Sequence, residues 1–258
     1  MRFHLFAFVV HVMEVRVSFP QGALVNEQIV LRWIHFVSGF IWLGLLYFFN
    51  LVGFPTMRQL DASVRGKLFP VLMTRAMWWF RWSAVVTVAA GLRYFWEILV
   101  VDARNAGNPA LAWQWLGWWF LVWLAAFALM YPFQLPGKGL LANPWIRTIM
   151  ITIIVIAASW GVLALNANPL SSNSHLAISV GGGLGLLMLL NAWGIVWRVQ
   201  KRLIAWTRAS VERGTPMPPE AERLARWGFI ASRVGFWLSL PMLFFMGAAG
   251  HYPFLGGL

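Results

Sequence analysis

The sequence predicts an all-α protein, a polytopic membrane helix bundle of about six transmembrane helices with both termini outside. The first observation is composition: 60% of the 258 residues are hydrophobic and only 11% are charged, whereas soluble domains carry about 25% charged residues. The second is the presence of six apolar segments, each long enough to cross the roughly 30 Å of hydrocarbon in a bilayer. The third is the uneven distribution of basic residues between alternate loops. Together they indicate a multi-pass protein whose main partner is the lipid bilayer.

The six apolar segments define the predicted domain, a transmembrane helical bundle over residues 29–258. Polar and helix-breaking stretches such as "DARNAGNP" and "NANPLSSNS" separate them. Residues 1–28 contain an apolar run too short to span, so we expect an N-terminal interfacial segment there. The predicted spans are 29–53, 76–101, 111–135, 145–167, 174–198 and 229–250.

The longest polar stretch is "RVQKRLIAWTRASVERGTPMPPEAERLARW", which we interpret as a basic cytoplasmic loop at 198–228. We expect the fifth helix to run past the membrane and end at the Gly-Thr-Pro turn. A separate short helix, opened by Pro218 and Pro219, is expected to follow, since proline is favoured in the first turn of a helix.

Basic residues predict the orientation. Fifteen of the 20 Lys and Arg residues lie in or beside the loops after the first, third and fifth spans. Cytoplasmic loops carry such an excess, so we expect a bacterial inner-membrane protein with periplasmic N- and C-termini. The same rule accounts for the net charge of +12 without a nucleic-acid partner. The remaining five basic residues are Arg2, Arg16, Arg32, Arg93 and Arg104.

The histidines all fall in or near the predicted outer leaflet. His4 and His11 lie in segment 1–28, His35 lies early in the first span, His175 opens the fifth and His251 ends the sixth. Ionisable residues inside a membrane are candidates for function, and neutral imidazole is a common ligand of haem iron. His35 and His251 form the preferred pair, because first and last spans commonly pack together. The alternatives are a pairing of His35 with His175, and ordinary packing or interfacial roles for all five.

The absence of cysteine restricts the chemistry of any redox centre. It excludes disulfides, iron–sulfur clusters and covalent haem attachment, so a centre must be held non-covalently, as b-type haem is. Arg32 and Arg93 are candidate partners for haem propionates, or else interface anchors. The glycines of "VGGGLG", residues 180–185, would let a macrocycle approach the backbone, or another helix through Gly181 and Gly185.

Known catalytic patterns are missing from the sequence. There is no phosphate-binding loop, GxSxG, HExxH or GxGxxG before a helix. The eight carboxylates sit at span ends or in loops, so catalysis by paired carboxylates is not expected. Asn191, in the fifth span, is expected to hydrogen-bond between helices. Whether the protein is an enzyme is left open.

Three stretches point to a family. "LRWIHFVSGFIWLGLLYFFNL", "NAWGIVWRVQKRLI" and "SRVGFWLSLPMLFFMGAAGHYP" together resemble the N-terminal membrane domain of the bacterial membrane-bound urate hydroxylase family. In that family a c-type cytochrome domain follows outside the membrane. The first-span pattern is also similar to copper-resistance membrane proteins and to the haem-containing membrane protoporphyrinogen oxidase, in which a first-helix histidine is implicated in haem binding.

The resemblance implies a redox role. It makes His35 the expected haem ligand, and His251 is the other histidine that the family pattern singles out. No CxxCH sequence is present, so we expect a membrane redox subunit that binds haem b near the outer face and passes electrons to a separate periplasmic c-type cytochrome. The alternative is a non-catalytic accessory or structural subunit of a larger respiratory or photosynthetic complex. A third reading is copper handling through His4, His11 and Met13.

Overall fold

The structure is a computed structural model and describes residues 21–137 and 142–255. These residues form helices and connecting turns, with no β-strand among them. Six helices or helix runs are long and apolar enough to cross a membrane. The predicted all-α membrane bundle is therefore confirmed; its orientation in the membrane stays a prediction.

The six spans are built from eight α-helices and two π-helical segments. Phe48–Gly53 is π-helical and joins α1 to α2, and Ala192–Val196 is π-helical and joins α6 to α7. The first and fifth spans are therefore continuous helical runs. The α-helices are α1 (Ala23–Tyr47), α2 (Phe54–Gln59), α3 (Ala62–Asn105), α4 (Leu111–Gln134), α5 (Pro144–Asn166), α6 (Asn173–Asn191), α7 (Trp197–Arg213) and α8 (Ala221–Ala248).

The helices extend further than predicted at one end of the bundle, which we call the basic end (residues 60–61, 135–137, 142–143 and 214–220). There α3 begins at Ala62 rather than at 76, and α8 begins at Ala221 rather than at 229. The expected separate helix after Pro219 is wrong: those residues form the first turns of α8. The prediction counted only the residues needed to cross hydrocarbon, but a helix continues wherever its backbone hydrogen bonds continue. The turn after α7 is as expected, with Gly214 at a left-handed φ of 65°.

At the N-terminus, α1 begins at Ala23, so residues 23–28 of the predicted interfacial segment belong to the first helix. Residues 1–20 lie outside the described residues. His4, His11 and Met13 are among them, so the interfacial placement and the copper reading stay predictions.

The opposite end, which we call the outer end after the predicted orientation, comprises residues 106–110, 167–172 and 249–255. Hydrogen bonds join two of its connections. The Asn173 side chain donates to the carbonyl of Ala249 at 2.9 Å and accepts from the backbone N–H of Leu255 at 3.0 Å. The start of α6 and the chain after α8 are thereby held together.

Helix α6 lies at the centre of the bundle. In the most apolar window of the fifth span 72% of residues are buried, against 17% in the first and fourth spans. Small residues on α6 allow the neighbouring helices to pack close to it. A Cβ on Gly183 would overlap the Trp123 indole, and one on Gly181 would lie 3.0 Å from Phe245 Cβ. The expectation of close packing through Gly185 is wrong, because nothing lies within 4 Å of a Cβ placed there; Gly183 has that role instead.

Candidate functional site

His35 is fixed between the first two spans. Its Nδ1 lies 2.8 Å from the backbone carbonyl oxygen of Thr87 on α3. A carbonyl only accepts hydrogen bonds, so Nδ1 carries the proton and Nε2 of the neutral ring carries the lone pair. A hydrogen bond from one ring nitrogen to a backbone carbonyl is the usual way in which a metal-binding histidine is oriented.

Gly91 provides the space for this ring. A Cβ at residue 91 would lie 2.8 Å from Cε1 and 2.9 Å from Nδ1 of His35, but 4.0 Å from Nε2. The Nδ1–Cε1 edge therefore faces α3, and Nε2 points away from it. His35 is half-buried, and Nε2 is neither enclosed nor hydrogen-bonded within residues 21–137 and 142–255.

The two predicted arginines differ in their surroundings. Arg32 is exposed and precedes His35 by one helical turn toward the outer end. Arg93 is instead occupied by protein carboxylates, with its Nη2 at 2.8 Å from Glu27 Oε1 and 3.0 Å from Glu97 Oε1. Along α1, His35 lies eight residues from Glu27, about 12 Å deeper than this ion pair.

His175 belongs to a buried network that the sequence prediction missed. Asp102 Oδ2, near the end of α3, lies 3.1 Å from His175 Nδ1 and accepts from the backbone N–H and the hydroxyl of Ser172 at 2.8 and 2.9 Å. Ser172 also caps α6 by accepting from the His175 N–H at 3.2 Å. The sequence did contain a signal for this network. Asp102 lies at the outer end of the second span, and "SSNSH" opens the fifth span at the same end of the bundle.

The His175 ring is enclosed. It is 0% exposed, and the Trp115 and Phe95 rings lie 4.8 and 6.1 Å from it, centroid to centroid. Its Nε2 has no hydrogen-bond partner in the described part of the chain. The network joins α3 to α6 and leaves no space beside the ring for a macrocycle.

Among the described residues no hydrogen bond or ring contact joins His35 to His175 or His251. His251 is exposed in the turn after α8, whereas His35 lies on α1, 12 residues from its start, or about 18 Å along the axis. Gly91, beside His35, and Asp102, beside His175, are 11 residues apart on α3, or about 16 Å, too far for both rings to bind one metal ion through bonds of roughly 2 Å. Within the described ranges no group of three or more His, Asp or Glu side chains is placed to hold a metal ion.

These geometries test the fit of a haem. The residues fit a haem in one respect: with Nδ1 donating to the Thr87 carbonyl, the Nε2 lone pair of His35 would be available to bind iron. Arg32 is in reach of the same side of α1, as a propionate partner would be.

Comparison of the chain with protein families, with curated proteins and with solved structures finds no match.

Proposed function

We propose that the protein is a membrane redox subunit that binds a b-type haem at the side of α1 through His35 and exchanges electrons with a c-type cytochrome at the outer end. The observation that carries the proposal is the hydrogen bond from His35 Nδ1 to the Thr87 carbonyl, which orients the ring and leaves the Nε2 lone pair for a ligand bond. The haem would supply one-electron chemistry, and the chain would set its orientation and its surroundings.

Three further features support this site. Gly91 makes room for the ring on α3, and only glycine permits that approach. Arg32 provides an exposed guanidinium one turn away. The depth of His35, about 12 Å below the Glu27–Arg93 ion pair, is compatible with electron transfer to a protein that docks at the outer end. The resemblance to the urate hydroxylase membrane domain adds the expectation of a cytochrome partner.

A difference spectrum tests the haem directly. We expect the protein purified in mild detergent, after expression with added haem precursor, to show b-type bands in a reduced-minus-oxidised spectrum. The bands should be lost in His35→Ala and retained in His251→Ala, since His251 is exposed in the turn after α8. Colourless wild-type protein that elutes as a single folded species would refute the haem proposal.

A second experiment tests the electron acceptor. Reduced wild-type protein mixed with an oxidised c-type cytochrome should become reoxidised as the cytochrome is reduced, and His35→Ala should not reduce it. Urate-dependent oxygen uptake in the presence of the same cytochrome would extend the function to urate hydroxylation. If electrons reach the cytochrome but urate causes no oxygen uptake, the resemblance reflects common ancestry and not a shared reaction.

The accessory-subunit reading rests on a different observation. Only 17% of the most apolar window is buried in the first and fourth spans, so those helices offer wide apolar faces, including Phe40, which is 77% exposed. A subunit of a larger complex would cover such a face with a neighbour. Co-purification of a defined membrane partner with colourless protein would favour this function over the redox one.

A further inference from the structure

A small cavity lies where the first, second, fifth and sixth spans meet, near the middle of the helices. Trp42 of α1, Phe80 of α3, Asn191 of α6 and Ser232 of α8 are among the side chains around it. The space open to the centre of a water molecule is about 10 Å³, which is the size that accommodates one water.

Two of the side chains that line this cavity carry buried polar atoms without partners. Trp42 and Asn191 are each 2% exposed. The indole Nε1 of Trp42 and both amide atoms of Asn191 have no hydrogen-bond partner in residues 21–137 and 142–255. The bond between helices expected for Asn191 is therefore absent among these residues. Buried polar groups in native proteins nearly always have a partner.

Ser232 contributes a third group. Its Oγ accepts from Asn50 Nδ2 at 3.0 Å, and the same amide donates to the Leu46 carbonyl at 2.9 Å. The hydroxyl hydrogen of Ser232 has no acceptor among the described residues. Other buried serines in the bundle do donate to a carbonyl one turn earlier: Ser38 to Ile34, Ser83 to Trp79 and Ser179 to His175.

Both π-helical segments adjoin this place. Asn50 lies inside Phe48–Gly53, and Asn191 immediately precedes Ala192–Val196, of which Ala192 and Val196 line the cavity. Short π-helical turns within α-helices are rare and frequently occur at functional sites. One π-helical segment therefore contributes to the wall of the cavity, and the other is hydrogen-bonded through Asn50 to Ser232 in that wall.

We propose that this cavity binds one water molecule, which joins α1, α6 and α8 through Trp42, Asn191 and Ser232. The ligand must accept a hydrogen bond from the indole, because indole only donates, and must donate one to the Asn191 carbonyl oxygen. Water does both, with the three or four polar partners typical of buried waters. The volume excludes a larger molecule, and no charged side chain lines the cavity to bind an ion.

Magnetisation transfer from water to tryptophan indoles tests the site in the full-length protein labelled with ¹⁵N-tryptophan in detergent micelles. Trp123 is a matched control: it is 0% exposed, and its Nε1 donates to the Ser179 carbonyl at 3.0 Å. We expect transfer at the Trp42 indole and none at the Trp123 indole. The Trp42 signal is assigned by its loss in Trp42→Phe.

The variant Asn191→Leu removes the amide oxygen that accepts from the water. We expect loss of the Trp42 transfer, with the Trp123 signal unchanged. No transfer at Trp42 in the wild type, or transfer at Trp42 that persists undiminished in Asn191→Leu, would overturn the proposal. Should Asn191→Leu fail to fold, the comparison of Trp42 with Trp123 in the wild type decides by itself.

Discussion

At the scale of single residues, Gly91 decides whether His35 can occupy its place. In Gly91→Ala the new Cβ would meet the imidazole at 2.8 Å, so the ring must move and its bond to Thr87 must weaken. We expect a loss of about 1–3 kcal/mol in the free energy of unfolding, as for other overpacked sites. Thermal unfolding in detergent measures it.

Gly44→Ala is the matched control for this prediction. Gly44 lies on α1, and nothing is within 4 Å of a Cβ placed there. Alanine should stabilise the helix there by about 0.5–1 kcal/mol relative to glycine. Equal effects of the two substitutions would contradict the placement of His35 against Gly91.

Asp102 is the other residue with a specific role. Asp102→Ala removes the acceptor of three hydrogen bonds, from the Ser172 N–H, the Ser172 hydroxyl and the His175 ring. We expect a loss of about 3–5 kcal/mol, as for the removal of one partner from a buried pair. Asp61→Ala, at an exposed position where the side chain makes no capping bond, should change stability little. Similar unfolding temperatures for the two variants would show that the Asp102–Ser172–His175 network does not stabilise the fold.

At the scale of helices, the close approach of α4 to α6 depends on one small residue. Trp119 and Trp123 of α4 both donate their indole N–H to the Ser179 carbonyl of α6, at 2.9 and 3.0 Å. Such contact needs a backbone without side chains opposite the indole, which Gly183 supplies.

Gly183→Ala should therefore separate α4 from α6. The added methyl group overlaps the Trp123 indole, which is fully buried, so we expect a loss of about 3 kcal/mol and a lower yield of folded protein. Gly185→Ala, two residues along the same helix with nothing within 4 Å, should be tolerated. Size-exclusion profiles and unfolding temperatures of the two variants measure the difference.

At the scale of the whole molecule, the prediction to be tested is orientation. The chain contains no cysteine, so single cysteines can be introduced as unique labels. Asn108 at the outer end and Thr215 at the basic end are both exposed, so Asn108→Cys and Thr215→Cys are suitable label sites. The positive-inside rule predicts that a membrane-impermeant maleimide added to intact spheroplasts labels residue 108 and not residue 215. The reverse pattern would place the basic end outside and exclude electron transfer to a periplasmic cytochrome.

The sequence by itself determined the class of protein and the number of spans, because the hydrophobic length needed to cross a bilayer is a local property of the chain. It also marked His35 and His175 as unusual side chains. Only the tertiary structure decided what each of them contacts. The Thr87 carbonyl, the space at Gly91 and the Asp102 carboxylate all come from another helix, and their positions depend on how helices rotate and slide against one another. The cavity between Trp42, Asn191 and Ser232 has the same origin, since three helices must meet before such a space exists.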